Sequence, residues 1–210
     1  SMVGRIIHSL DCVAEGAGWL AAQEPRFAHA LTLVGDLPLR RHADGFTALL
    51  DAIVGQQVSV ASANAIWARM EAAGLIEMAA VAAASDDDLR AAGLSRQKAR
   101  YAKALASSGI DFITLRDDVD ETVVARLVAV PGIGRWTAEI YAMFALGRAD
   151  VFAAGDLALQ EGARVLFGLA DRPSEKALRV MAEAWSPWRA VAARILWAYY
   201  HVAKSREGIR

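Results

Sequence analysis

Apolar residues recur three and four positions apart along most of this chain, a period that sets them on one face of an α-helix. Phe46, Leu49, Leu50, Ile53 and Val54 open one such helix, and the pattern predicts that it continues through Val60 and Ile66 to Met70. Residues 11–33 form an amphipathic opening segment broken near Pro25, followed by a turn-rich connector over 35–44. Shorter helices are predicted over 75–84, 86–92 and 95–106, divided by Gly74, Ser85 and Gly93. Val123, Leu127 and Val130, flanked by Val124 and Val128, predict a short helix that stops at Pro131, and residues 135–146 predict the next, with Gly147 as its stop signal. A helix over 156–167 begins on an N-cap residue type and ends at Gly168. The segment 174–185 carries a capping sequence at its head, and Pro187 separates it from a last helix through Val202.

The sum is about eight helices with few strand-like alternations, so the fold class is all-α. On the last helix Trp188, Val191, Ile195, Tyr199 and Val202 share one stripe, whereas Trp197 points nearly opposite with Arg194 and His201. A buried helix can be apolar all round, so packing and a functional role both stay open for Trp197. Trp185 and Trp188 are assigned to packing.

Length and composition add bounds. With 210 residues, 55% hydrophobic and 22% charged, the chain can bury a substantial core in one globular unit or two small lobes. No apolar run is long enough to span a bilayer and no secretory signal pattern opens the sequence, so a cytoplasmic setting is expected. A single cysteine, Cys12, fits a reducing compartment and excludes an internal disulfide framework, a cysteine zinc site and a cysteine-ligated iron–sulfur cluster. His8, His29, His42 and His201 show no ligand spacing, so no side-chain metal site is expected.

A net charge of -1 argues against a protein that coats nucleic acid, and confines any DNA contact to local patches. Basic residues cluster at Arg96, Lys98, Arg100 and Lys103, at Arg135, and at Arg189 and Arg194; taken one by one, each cluster reads as a solvated helix face. Acidic runs at 86–88 and 117–121 sit where helices start, and the helix dipole favours carboxylates there.

Two features carry chemistry. The first is LVAVPGIGRWTAE over 127–139, in which Gly132 and Gly134 permit a tight turn and close backbone approach between two helices. Such a hairpin points backbone N–H groups out of a helix N-terminus, where the dipole favours a phosphate. Spacing alone equally allows an αα-hairpin whose glycines only make the turn. The second is Asp156 in FAAGDLALQ, expected at the N-terminus of the following helix. A carboxylate held there stabilises a cationic sugar transition state or activates water; the plainer alternative is an N-cap and nothing more.

Together with AIVGQQVSVASA upstream and WSPWRAVAARILW downstream, these motifs resemble, in order from about Gly45 to His201, the helix-hairpin-helix, Gly/Pro-Asp superfamily of base-excision DNA glycosylases. The likeness is greatest to the alkylation-repair branch, of the bacterial 3-methyladenine DNA glycosylase II kind. It implies an N-terminal helical segment over 1–44 packing on the core and a glycosylase domain over 45–210, with a substrate and DNA cleft between helical lobes. The extra N-terminal β domain of longer relatives is expected to be lacking. By resemblance Asp156 holds the catalytic position, and Gly132, Gly134, Arg135 and Thr137, with Gln56 and Gln57, belong to the DNA-binding surface. Gln57 falls where the family inserts a wedge into the duplex. Trp136 and Trp197 match aromatic positions of the base pocket; Ile140 stands where the family has a pocket tyrosine, with Tyr141 one residue on.

Bifunctional relatives carry a nucleophilic lysine two residues after the second hairpin glycine, and here that residue is Trp136. An indole cannot form the Schiff base, so the resemblance implies a monofunctional hydrolase that flips an alkylated purine such as 3-methyladenine or 7-methylguanine out of duplex DNA and leaves an abasic site. Hairpins of this family also hold a monovalent cation, Na or K, on backbone carbonyls; no other cofactor is implied. The expected partner is double-stranded DNA with alkylated bases, met by a monomer in the bacterial cytoplasm. Two rival readings are a hairpin protein that binds DNA without catalysis and an all-α interaction protein without a DNA role.

Overall fold

The computed structural model of the chain describes residues 2–207. Among them are twelve α-helices: α1 Leu10–Gln23, α2 Pro25–Val34, α3 Phe46–Val54, α4 Val60–Ala72, α5 Met78–Ala83, α6 Asp86–Ala91, α7 Arg96–Ala106, α8 Asp120–Val128, α9 Arg135–Ile140, α10 Leu157–Phe167, α11 Glu175–Ala182 and α12 Arg189–Glu207. No strand is formed among the described residues; the one β-like pairing is an isolated bridge between Ile6 and Arg148. Two compact units result, one from the described parts of Ser1–Arg41 and Ala142–Arg210, the other from His42–Tyr141.

Helix starts follow the sequence signals closely. Ser59, Ser85, Ser95 and Ser174 each accept a first-turn N–H through their side chains, and Ser85 and Asp88 form a reciprocal capping box. Pro25 breaks the opening segment by starting α2, where its missing N–H costs nothing.

Three expectations change. The helix expected from Phe46 to Met70 is two helices, because the chain turns at residues 55–57 and Gln57 adopts a left-handed backbone with φ 56°. Val60, which the period set on the core face, is consequently 78% exposed. The helix expected over 135–146 is regular only to Ile140; it widens into a π-helical turn over Tyr141–Ala145, which Arg148 N–H closes onto the Ala142 carbonyl at 2.9 Å. Arg189 and Arg194, finally, do not form a solvated face. Arg194 is 1% exposed and donates to the carbonyls of Pro38, Leu39 and Ala190, while Arg189 forks onto Asp150 with both contacts at 3.0 Å. The connector near residues 38–41 forms no ladder of its own, so its carbonyls are open to outside donors, and a guanidinium supplies several. Burial, with Arg40 and Arg41 nearby, pulls the Arg194 pKa down to about 10.

In the first unit α12 packs on α10, α2 and α1. Small residues set the closeness: a Cβ at Gly162 of α10 would lie 2.7 Å from the Leu196 carbonyl oxygen, and one at Gly16 of α1 would lie 2.6 Å from the Trp188 ring. Trp185, as expected a packing residue, is ringed by Phe27, Phe152 and Phe167 at centroid distances of 5.2, 5.6 and 5.7 Å. Offset and edge contacts of this kind add about 0.5–1.5 kcal/mol each beyond area burial.

The second unit is built on α3, whose Leu49, Leu50, Ile53 and Val54 are buried, with α7 packed on it. Lys98 of α7 reaches back and donates from Nζ to the Val54 carbonyl at 2.8 Å, closing the end of α3. Tyr141, 4% exposed, closes the unit at its other end: its hydroxyl accepts the Gly45 N–H at 2.8 Å, at the head of α3. Burial pushes the Tyr141 phenol up to about 12, against the opposing effect of the Gly45 N–H.

Two outcomes are expected from this packing. Gly162→Ala should cost about 1–3 kcal/mol by overpacking, whereas Gly18→Ala, on an open face of α1, should gain up to about 1 kcal/mol of helix propensity; urea unfolding of both variants distinguishes them, and equal effects would refute the close α10–α12 contact. Tyr141 has a folded-state pKa above its unfolded value near 10, so its contribution is present below about pH 10 and lost as the pH rises toward about 12. Denaturant midpoints should fall across that window in the wild type and fall less in Tyr141→Phe.

Candidate active site

Asp156 is the N-cap of α10, as its residue type and position suggested, and its Oδ1 accepts the Leu159 N–H at 3.0 Å. The same oxygen accepts a second bond, from the indole Nε1–H of Trp197 on α12, also at 3.0 Å. Capping alone uses one backbone donor; the indole adds a donor from a helix that packs alongside. The loop before Asp156 is rigid by construction. Residues 151–154 are buried, the Asp156 N–H donates to the Ala153 carbonyl, and the buried Gln160 side chain returns to the Ala154 carbonyl at 2.9 Å. A half-exposed carboxylate is thereby fixed in orientation at the positive end of a helix.

Trp197 lies beside Phe144 of the π-helical turn, with centroids 5.6 Å apart. Over both rings sits the guanidinium of Arg40, 4.2 Å from the Phe144 centroid and 4.7 Å from that of Trp197. Burial lowers the Arg40 pKa, and the Asp156 charge works in the opposite direction. Arg40 also holds a left-handed backbone, φ 50°, which is uncommon outside glycine. Sequence reading missed Arg40 altogether. It stands in the irregular connector, where no periodicity marks a side chain's direction.

The hairpin belongs to the other unit. After α8, Val130 and Ile133 are buried and anchor the turn, and Gly134 caps α9 without a side-chain acceptor. The two glycines differ physically. Gly132 has φ 94°, and a Cβ there would meet the Tyr101 ring at 2.3 Å, so the fold itself demands glycine. Gly134 has φ -82° and open space around its Cβ position, so nothing in the fold does.

The remaining expected site residues in this unit take varied places. Gln56 donates from Nε2 to the Gly132 carbonyl at 2.9 Å, which braces the hairpin. Gln57 is exposed in the turn between α3 and α4, beside Val58 and Val60, which are exposed as well. Arg135 is 54% exposed and faces the nearly buried Glu139 at 3.6 Å. Thr137 is half-buried in the first turn of α9, and Trp136 before it is 49% exposed. Tyr141 points its hydroxyl into its own unit, to Gly45. Trp197 and Asp156 are thus brought together directly, as are Gln56 and Gly132.

The chain matches the model of the HhH-GPD superfamily base excision DNA repair protein family over residues 50–190, a span that contains Asp156, the hairpin and Trp136. It is 34% identical to a DNA-3-methyladenine glycosidase from Bacillus halodurans, with a TM-score of 0.79 over 86% of this chain and 87% of that one. It is 27% identical to the 3-methyladenine DNA glycosylase Mag1 of Schizosaccharomyces pombe, solved in complex with abasic DNA, with a TM-score of 0.72 over 87% and 95% of the two chains. It is 30% identical to DNA-3-methyladenine glycosylase 2 of Escherichia coli over 73% of this chain. The alignment spans 57% of that E. coli relative's length and 40% of the length of a Bacillus subtilis relative. On the family match and the shared helical fold, the chain belongs to the HhH-GPD superfamily of base excision DNA repair proteins.

Proposed function

We propose that this protein is a monofunctional DNA glycosylase that hydrolyses the N-glycosidic bond of alkylated purines, of the 3-methyladenine and 7-methylguanine type, in duplex DNA. The observation that carries the reading is the doubly held carboxylate: Asp156 Oδ1 receives both the Leu159 N–H and the Trp197 Nε1–H. Donors fixed in advance keep a carboxylate in place without reorganisation as a positive sugar develops.

The chemistry follows from charge. A purine alkylated on a ring nitrogen carries a positive charge or is electron-poor, so it departs as a stable base with little need of an acid. The bond from C1′ to the ring nitrogen breaks, the base takes that electron pair, and the sugar becomes oxocarbenium-like. Asp156 stabilises this cation and accepts a proton from the water whose oxygen bonds to C1′. Trp136 stands where bifunctional relatives have their lysine, which supports hydrolysis over Schiff-base chemistry. Within the unit that carries Asp156, the half-exposed Trp197 indole offers a π-face to an electron-poor flipped base.

Gly134 supports the phosphate role of the hairpin. A glycine that the fold does not need, at the open N-terminus of α9, fits close approach by a ligand's backbone. The Mag1 relative, whose structure holds abasic DNA, supports DNA as the partner.

Asp156→Asn keeps an oxygen acceptor for both donors and removes the charge. Base release from methylated duplex DNA should fall by two or more orders of magnitude, about the scale of losing a key charge-stabilising group, with melting little changed; release at the wild-type rate would sink the mechanism. Borohydride should trap no covalent adduct with the wild type. For the hairpin, Gly134→Ala should weaken duplex binding roughly tenfold at unchanged stability, whereas Gly132→Ala should destabilise by about 1–3 kcal/mol. Equal behaviour of the two variants would contradict the separate reasons for the two glycines.

A further inference from the structure

We propose that Arg40 is a second phosphate anchor, in the same unit as Asp156, which grips the phosphate flanking the nucleotide whose sugar faces that carboxylate. The proposal rests on the glycosylase reading above and adds a contact outside the hairpin.

Three observations converge on it. The Arg40 guanidinium is fixed in place without being used: it stacks on Phe144 at 4.2 Å and Trp197 at 4.7 Å, yet among the described residues no carbonyl or carboxylate accepts a hydrogen bond from it. Its neighbours behave differently. Arg41 donates to the carbonyls of Ile7, Phe144 and Ala145, and Arg194 to those of Pro38, Leu39 and Ala190. Both are spent on the protein's own backbone, and both contribute positive potential around Arg40. Second, Arg40 occupies a left-handed backbone, a conformation kept only where surrounding contacts enforce it. Third, the indole on which it stacks at 4.7 Å donates to Asp156 Oδ1 at 3.0 Å, which sets the guanidinium near that carboxylate.

A planar fork with its donors unspent, stacked at its face and open at its edge, matches a phosphate. The position also answers an electrostatic difficulty. Asp156 must approach a sugar flanked by two phosphates, and like charges repel. A cation between the carboxylate and one phosphate offsets that repulsion while leaving Asp156 held by Leu159 and Trp197.

The test measures binding to a duplex with a central tetrahydrofuran abasic analogue over a salt series. Arg40→Gln should weaken binding about tenfold and lower the slope of log K against log salt by about one phosphate contact. Arg40→Gly, which suits the left-handed backbone, should do the same with the loop kept, and Arg40→Lys should keep most of the slope. Replacing single phosphates next to the analogue by methylphosphonates in turn should reveal one position at which the loss in the wild type matches that of Arg40→Gln and is absent in that variant. An unchanged salt slope in both Arg40→Gln and Arg40→Gly, or additive losses at every flanking phosphate, would overturn the proposal while leaving the glycosylase reading intact. Wild-type protein that shows no salt-dependent duplex binding would remove that reading and this contact together.

Discussion

The hydrogen bond from the Trp197 indole to Asp156 joins the head of α10 to the middle of α12, and much of the first unit is arranged to allow it. The two helices must lie close. Gly162 permits this, since a side chain there would run into the Leu196 carbonyl one residue before Trp197. The buried start of α12, with Ala190, Val191, Ala192 and Ala193 fully enclosed, fixes its position, and the aromatic group around Trp185 fills the space beneath. Core packing and site geometry are therefore one constraint.

The second unit meets a different constraint, a tight glycine turn between α8 and α9 that must be held in place. Ile133 is buried between two glycines, so the turn has an apolar anchor of its own. Gly132 is fixed by its φ and by Tyr101, and the Gln56 amide holds its carbonyl. The demands of the fold thus fall on the first glycine and leave the second open toward solvent.

Charge is handled locally, as a net charge of -1 requires. Three arginines gather near the irregular connector. Arg41 and Arg194 bind carbonyls that no helix or sheet would otherwise satisfy, and in doing so they hold the connector on α12 and the π-helical turn. Arg40 rides on this frame, stacked rather than hydrogen-bonded. The basic character of this region comes from tertiary structure, since residues 40 and 41 lie more than 150 positions from residue 194.

Much was legible in the sequence because it depends on near neighbours. The 3.6-residue period, the serine caps at Ser95 and Ser174, Pro25 and Gly168 mark helices through bonds spanning three or four positions, and α2, α7, α10 and α11 begin or end where those signals stand. The family motifs, Asp156 at a helix start and the glycine hairpin were legible for the same reason. The turn at Gln57 was not, because the apolar period runs through it, and only the folded chain shows Val60 in solvent. The indole donor on Asp156, the burial of Arg194 and the stacking of Arg40 were invisible as well. Each joins residues at least 41 positions apart. A helical pattern states which residues share a face but not which carbonyl or carboxylate will meet them, and that is decided by how closely the helices pack.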